Sequence, residues 1–291
     1  MRVGIVTPVV VQLPGAHAEW EVTAGIEEIA GIAATADRLG YHHLTCSEHV
    51  AVPAGVAEQR GGTYWDPLAT FGHLAAYTRR ILLATRVLVL GYHHPLEIAK
   101  RYGTLDRLSG GRLVLGVGVG SLAEEFDLLD VPFRDRGARA DEALRALRSS
   151  LGERVAEFHG TYYDYADMVV DPHATRRSPI WVGGRTARSL RRAVEHGDGW
   201  VPFGLRTAEL GELLSRFALP AGFEVVLSTG APLDPLADRD RTLRALDRLR
   251  AAGATLVSVS LHAESAAHHR DQLAALRDLD TELDLSFAPR A

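Results

Sequence analysis

The chain has 291 residues, of which 46% are hydrophobic and 24% charged, and its formal net charge at pH 7 is -5. This composition is typical of a globular protein and excludes a disordered, fibrous or membrane-spanning one. Because the balance is mildly acidic and no run of five lysines or arginines occurs, we expect neither a nucleic acid nor an anionic membrane as partner. The expected partner is a small molecule.

The N-terminal segment and the single cysteine bear on cellular location. Residues 3–7 (VGIVT) predict a buried strand, although the apolar start of the chain superficially resembles a signal peptide. No apolar stretch reaches the ~18 residues that a membrane span requires. Cys46 is the one cysteine, so neither an intramolecular disulfide nor a cysteine zinc cluster can form. We therefore expect a protein of the reducing cytoplasm.

Eight short apolar runs rich in β-branched residues alternate with longer segments that carry apolar residues at helical spacing. This alternation is typical of βα units around a parallel sheet. The predicted strands are Val3–Thr7, Leu44–Ser47, Ile81–Val87, Leu113–Val117, Ile180–Val182, Gly199–Val201, Glu224–Leu227 and Leu256–Ser260. The predicted helices cover residues 25–39, 67–77, 95–108, 186–196, 207–216, 238–251 and 265–279.

We therefore predict an α/β fold, a (β/α)8 TIM barrel in a single domain over residues 1–291, with insertions after strands 2 and 4. An open doubly wound sheet is the alternative, because the number and spacing of strands do not show that the sheet closes. Residues 50–65, the first insertion, are predicted to form a loop. Residues 121–178, the second, predict an extra helix and then a hairpin around FHGTYYDY. In a closed barrel both insertions lie at the carboxyl ends of the strands, where active sites are found.

A glycine-rich segment, residues 109–121 (SGGRLVLGVGVGS), surrounds the fourth predicted strand. Gly116, Gly118 and Gly120 leave the end of this strand without side chains, which lets a flat or phosphorylated ligand approach the main chain. Tight packing at a barrel corner is the alternative explanation. The segment is not a Rossmann fingerprint, because Ser121 stands where that motif needs glycine or alanine.

Gly183 and Gly184 end the fifth predicted strand, and a helix follows near Thr186. Unpaired amides at the start of that helix favour a phosphate group, and Arg185 could add positive charge. A plain glycine turn before a helix is the alternative. The segment is a candidate phosphate site.

Glu48 and His49 lie at the end of the second predicted strand. A histidine titrates near neutral pH and can pass a proton, and an adjacent carboxylate can bind or orient a partner. Both are therefore candidate catalytic residues; a structural hydrogen-bonding role for His49 is the alternative. The adjacent histidine pairs elsewhere predict no metal site, because neighbours on a strand point to opposite faces and no His-Glu-x-x-His sequence occurs.

Taken together, these motifs resemble the luciferase-like monooxygenase superfamily, and most closely its branch that depends on the deazaflavin coenzyme F-420. The resemblance runs from about residue 25 to residue 203, while the last ~80 residues match only in the βα rhythm that a barrel requires. It is carried by the segments LGYHHLTCSEHV, YWDPLATFGHLAAYTRRILLATRVLVL, HPLEIAKRYGTLDRLSGGRLVLGVGVGS, FRDRGARADEALRALR, FHGTYYDY and PIWVGGRTARSLRRAVEHGDGWVP.

The resemblance implies a homodimer of barrels, each binding a flavin or deazaflavin at the carboxyl ends of its strands. It implies a cis peptide bond at Arg86–Val87, although a small residue is commoner in the family where this chain has Arg86. It also implies proton transfer by His49. The implied cofactor contacts are Glu48, His49, Thr85, Arg86, Val87, Val119, Gly120 and Ser121 at the ring, with Gly183, Gly184 and Arg185 at the phosphate.

The activity that the resemblance implies is hydride transfer between coenzyme F-420 and a small organic substrate. A monooxygenase that depends on flavin mononucleotide (FMN) is the alternative, and a metal-dependent barrel hydrolase or a non-catalytic cofactor-binding protein is more distant. Certain sugar-phosphate dehydrogenases of the family carry a glutamate acid where this chain has Ser121. We therefore do not expect a sugar phosphate as substrate.

Overall fold

A computed structural model describes residues 1–282 and 285–288. Within them the strands are β1 Arg2–Ile5, β2 Val11–Gln12, β3 His43–Cys46, β4 Thr63–Tyr64, β5 Leu82–Thr85, β6 Leu88–Val89, β7 Leu113–Gly118, β8 Val155–His159, β9 Asp164–Val169, β10 Ile180–Gly183, β11 Gly199–Val201, β12 Glu224–Ser228 and β13 Leu256–Val259. The helices are α1 Glu19–Thr23, α2 Ile26–Leu39, α3 Ala54–Arg60, α4 Pro67–Tyr77, α5 Pro95–Ser109, α6 Ala123–Leu128, α7 Arg136–Ser150, α8 Ala187–His196, α9 Thr207–Ser215, α10 Arg239–Ala251 and α11 Ala266–Arg277.

Eight parallel strands close into a barrel in the order β10-β11-β12-β13-β1-β3-β5-β7, with β7 pairing back to β10. The closing ladder places Trp181 of β10 opposite Gly116 of β7. The predicted (β/α)8 barrel is thereby confirmed, and the open doubly wound sheet is excluded. All eight predicted strands are present, although the third is interrupted: pairing stops at Thr85 and resumes at Leu88, on either side of Arg86–Val87.

Glycine at position 116 allows the close approach of β5 to β7. A Cβ atom on Gly116 would lie 1.9 Å from the carbonyl oxygen of Thr85, far inside van der Waals contact. Thr85 in turn donates a hydrogen bond of 2.7 Å from its hydroxyl to the carbonyl of Gly116. For Gly116, tight packing is therefore the correct explanation of the glycine-rich segment.

The interior of the barrel is packed with side chains below its mouth. A buried cluster draws one residue from each of six strands: Ala84, Val114, Trp181, Val201, Val226 and Leu256. His43 lies beside this cluster, its Nε2 is 2.8 Å from the Ser258 hydroxyl, and its ring packs edge-on against Trp181. Because the interior is filled, a ligand can enter only at the ends of the strands.

Helix ends follow the signals in the sequence. The Asp66 carboxylate accepts a 2.7 Å hydrogen bond from the Ala69 amide, so that Asp66 caps α4 and Pro67 occupies its first turn. Gly40 and Gly253 follow α2 and α10 with φ of 82° and 96°, a conformation that only glycine adopts without strain.

Both insertions contain more regular structure than predicted. The loop predicted over residues 50–65 is wrong, because this segment contains α3 and β4, and β4 pairs with β2 through Val11 and Tyr64. Good helix formers fill Ala54–Arg60, and Gly61 ends the helix with φ of 78°. The second insertion holds two helices, α6 and α7, instead of one. The predicted hairpin is present as β8 and β9.

Among residues 1–282 and 285–288, no helix combines the length and the hydrophobicity that crossing a bilayer requires.

Candidate active site

A cavity of about 500 Å³ opens at the carboxyl ends of the barrel strands. Residues at or just after the end of every barrel strand line it, and the segment between β1 and α1 covers one side. Its apolar lining includes Val6, Pro8, Val10, Val11, Leu13, Val201, Phe203 and Leu261. Polar side chains such as Glu48, His49 and Arg86 also line it, and a cavity of this size that combines apolar walls with placed polar groups is typical of a small-molecule site.

Most of the residues predicted to contact a cofactor lie around this cavity. They are Glu48, His49, Arg86, Val87, Val119, Gly120, Ser121, Gly183 and Gly184. Thr85 does not line it, because its side chain is buried against β7. Arg185 lies outside the cavity and is exposed. The structure thus brings together nine of the eleven predicted positions and leaves these two apart.

The peptide bond between Arg86 and Val87 is cis, as the resemblance implied. The end of β3 surrounds it: the Ser47 hydroxyl donates a 2.5 Å hydrogen bond to the Arg86 carbonyl, and the Glu48 amide donates to the Val87 carbonyl at 3.3 Å. This bond and the end of β3 therefore form one wall of the cavity.

The glycines of the cavity wall make room first for protein atoms. A Cβ on Gly118 or on Gly183 would lie 2.7 or 2.8 Å from the Val87 side chain, and a Cβ on Gly120 would lie 2.5 Å from the Phe126 ring. Gly118 and Gly183 let Val87 insert between β7 and β10, and Gly120 makes room for Phe126. The same glycines also line the cavity. The two explanations given for the glycine-rich segment, tight packing and approach of a ligand to the main chain, are therefore compatible at these positions.

Glu48 is held by neighbours other than His49. Its Oε2 accepts a 2.7 Å hydrogen bond from the Val89 amide, and its Oε1 lies 2.7 Å from Nε2 of His93. Burial lowers the pKa of His93, but the hydrogen bond and negative charge of Glu48 outweigh burial, so the pKa is raised above its usual value. The Glu48 carboxylate is therefore anchored beside the cis peptide bond.

His49 is oriented by Glu125, a carboxylate buried in α6. Nδ1 of His49 lies 2.7 Å from Oε2 of Glu125, and that oxygen also accepts a 2.6 Å hydrogen bond from the Tyr92 hydroxyl. The other oxygen accepts from the amides of Val50 and Ala51. Because the carboxylate only accepts, the proton of a neutral His49 belongs on Nδ1, which leaves Nε2 as a base. His49 lines the cavity.

The first insertion packs against His49 and connects it to β7. The ring of Tyr64 lies edge-on to His49, with centroids 4.5 Å apart. Arg60 donates a 3.2 Å hydrogen bond to the Ser121 hydroxyl. The insertion therefore fixes one face of the imidazole.

The candidate phosphate site lies where β10 meets α8. Gly184 has φ of 146°, and Thr186 caps the helix by accepting from the Ser189 amide. The amides of Ala187 and Arg188 begin the helix and so have no intrahelical acceptor. Together with the positive end of the helix dipole, they favour an anion at this position.

A family model described as luciferase-like monooxygenase matches residues 1–281. The chain belongs to the luciferase-like monooxygenase family. The match extends past the C-terminal limit near residue 203 that the motifs suggested.

Two curated relatives and one solved structure are similar to this family member. It is 32% identical over 250 residues to 4-hydroxyprotoasukamycin monooxygenase of Streptomyces nodosus subsp. asukaensis, covering 84% of this chain and 59% of that protein. It is 33% identical over 218 residues to the F-420-dependent glucose-6-phosphate dehydrogenase of Beutenbergia cavernae, covering 73% and 59%. The chain thus spans about three fifths of the length of the curated relatives it matches.

The solved structure is the monooxygenase RslO1 from Streptomyces bottropensis. It superposes with a TM-score of 0.75 at 23% identity, covering 96% of this chain and 98% of that one. This likeness concerns the fold.

Sequence reasoning did not find Glu125, Tyr92 or Tyr64. Glu125 is 1% exposed and lies 76 residues from His49, in an insertion whose first helix was not predicted. The only signal was an acid beside the apolar Phe126 in the segment AEEFDL, and that pattern does not identify a partner. Tyr92 likewise reaches Glu125, and Tyr64 reaches His49, only in the folded chain.

Proposed function

We propose that this protein is a coenzyme F-420-dependent oxidoreductase that transfers a hydride between the deazaflavin and a small organic substrate. The observation that carries the proposal is the cavity histidine His49, whose Nδ1 is held 2.7 Å from the buried Glu125 carboxylate. A hydride transfer to or from a carbonyl carbon must be accompanied by a proton transfer, and this geometry provides a group for that proton.

When bound, the deazaflavin would supply the carbon centre that accepts or returns the hydride. In the oxidising direction the substrate C–H bond breaks with its electron pair, and the hydroxyl proton passes to Nε2 of His49. Glu125 keeps the opposite nitrogen protonated and oriented, and it stabilises the imidazolium that forms. The reducing direction reverses both transfers.

The described residues suit such a cofactor. Val87, Val119 and the main chain of Gly120 offer an apolar wall for a flat ring beside Glu48 and His49. The free amides at the start of α8, with the exposed Arg185 and Arg188 nearby, suit the phosphate. Gly120 beside the ring position and Gly184 beside the phosphate position both line the same cavity.

The choice of F-420 over FMN depends on Glu48 and His49, which the resemblance links to the deazaflavin branch. A relative named for F-420 dependence, 33% identical over 73% of the chain, supports it. The monooxygenase relative, which covers 84% of the chain, favours an FMN-dependent monooxygenase as the second candidate.

A parallel titration tests the proposal. The purified protein is titrated with F-420 and with FMN while the fluorescence of each is followed. Tight and selective binding of F-420 is the expected result. Selective binding of FMN would replace the proposal by the monooxygenase, and failure of both would end the cofactor assignment.

A further inference from the structure

Arg86 brings a guanidinium group into the cavity. Its side chain starts at the end of β5 and donates a hydrogen bond to the hydroxyl of Ser228 at the end of β12. In the barrel order, β12 is four strands from β5 in either direction. The side chain therefore crosses the mouth of the barrel.

This guanidinium has no anionic partner among the described residues. Its hydrogen-bond partner is a neutral hydroxyl, and it forms no ion pair there. The two carboxylates that line the cavity have other partners: Glu21 accepts from the Val9 and Ala18 amides, and Glu48 from the Val89 amide.

The partly buried position of Arg86 makes its unpaired charge unfavourable in free energy. Arg86 is half-buried at the mouth of the barrel, and burial of its guanidinium lowers the pKa to about 10. At neutral pH the guanidinium is still charged. A desolvated charge without a counter-ion is unfavourable, and an anion placed against it recovers that cost.

The tip of Arg86 lies on the side of the cavity away from the proposed cofactor contacts. Apart from those at the end of β5, where Arg86 itself starts, these contacts lie at the ends of β3, β7 and β10, whereas Ser228 is the last residue of β12. Around Ser228 the lining comes from β11, β12, β13 and the segment after β1, and it is largely apolar, with Phe203, Leu261 and Val10.

We propose that Arg86, with the Ser228 hydroxyl, binds a carboxylate of the substrate, and that the rest of the substrate is apolar. This inference rests on the proposed function and names the substrate class of that site. A guanidinium presents a planar set of donors that matches a carboxylate, and its charged hydrogen bonds are stronger than neutral ones. The apolar lining excludes water from the rest of the molecule.

The test compares two probes of one shape, cyclohexanecarboxylate and its neutral amide, by calorimetric titration of the purified full chain. The carboxylate should bind about tenfold or more tightly than the amide, the size of a charged hydrogen bond. Arg86→Met should abolish this preference, and Arg86→Lys should restore part of it. Arg241→Met removes an exposed arginine of α10 and should leave the preference unchanged.

A second variant covers the case in which Arg86→Met does not fold. Ser228→Ala removes only the hydroxyl that holds the guanidinium, and it should weaken carboxylate binding several-fold while the amide is unaffected. Equal binding of both probes to the unaltered chain, or a carboxylate preference that survives Arg86→Met, would overturn the proposal.

The anion that Arg86 binds could belong to the cofactor instead of the substrate. The same variants distinguish these two sources. If Arg86→Met lowers F-420 affinity tenfold but leaves probe binding as it was, the guanidinium serves the ring and the substrate assignment is overturned. Because the probes are titrated without cofactor, a failure of F-420 to bind contradicts the proposed function and leaves the carboxylate result standing.

Discussion

The base of the barrel and its mouth are built from the same eight strands, yet their polar groups are satisfied differently. At the base, Trp181 donates a 2.5 Å hydrogen bond to Glu224, and His43 pairs with Ser258. At the mouth, Arg86 meets only a neutral hydroxyl. His269 also lines the cavity, and among the described residues its Nδ1 has no hydrogen-bond partner. Arg86 and His269 therefore keep hydrogen-bonding capacity where a ligand can reach it.

The titratable groups differ in the same way. Burial lowers the pKa of His43 well below its usual value, with smaller contributions from the charges of His42 and nearby arginines. This imidazole thus stays neutral and serves packing. His49 at the mouth instead has a carboxylate on one nitrogen and the cavity beside it. Changes at the mouth should alter rate and binding, whereas changes at the base should alter stability.

The largest effect is expected for His49→Ala. Loss of a general acid or base should lower kcat by about 10² to 10⁴, while F-420 affinity stays near that of the unaltered chain. Steady-state kinetics and a binding titration measure the two quantities. His73→Ala, an exposed histidine on the outer helix α4, is the matched control. Lost affinity with unchanged kcat would make His49 a structural ligand.

Leu256→Ala tests the other half of the comparison. Leu256 is fully buried in the base cluster, and its truncation should lower the free energy of unfolding by about 2 to 5 kcal/mol. Below the melting temperature kcat should be nearly unchanged. Leu108→Ala, at a position 71% exposed, should change stability by less than about 0.5 kcal/mol. A large loss of kcat in folded Leu256→Ala would show that base and mouth are coupled.

Glu125→Gln tests whether the orientation of His49 contributes to the rate, because it keeps the imidazole and changes only the group bonded to Nδ1. The amide has one acceptor oxygen where the carboxylate has two, so either His49 and Tyr92 or the amides of Val50 and Ala51 lose their acceptor. We expect kcat to fall about tenfold to hundredfold, as for a lost charged hydrogen bond. Glu124→Gln changes the exposed neighbour on the same helix and should have no effect. Equal rates in both variants would remove Glu125 from the proposed mechanism.

The base was more predictable from the sequence than the mouth. Strands such as Leu113–Gly118 are short, apolar and separated by helices, and this pattern is local. The closed barrel was predicted with an open sheet as the alternative, because no local pattern states that Trp181 pairs with Gly116. His49 could be found because it follows a strand directly. Glu125 could not, because its burial and its four partners exist only in the folded chain.

Some predictions are not tested by the fold. The single domain over residues 1–291, the cytoplasmic location and the homodimer stay predictions. Size-exclusion chromatography with light scattering would measure the last. These three predictions depend on surfaces or surroundings of the protein, and the strand pattern from which the barrel was inferred carries no information about either.

The smallest effect is expected at the border between base and mouth, where His93 pairs with Glu48. Burial and the charge of Arg101 lower the pKa of His93, whereas Glu48 and Glu97 raise it. The two carboxylates prevail, so the pKa of His93 is raised above its usual value. Because its folded-state pKa is raised, protonated His93 stabilises the fold fully below the unfolded value of about 6.5. This contribution is lost as pH rises through the folded-state pKa.

At pH 5.5 the free energy of unfolding of His93→Gln should therefore be lower than that of the unaltered chain by about 1 kcal/mol. The difference should shrink as pH rises, in denaturant titrations at several pH values. His73→Gln should show no such trend, and a difference for His93→Gln that is constant with pH would mean that the pair contributes through packing alone.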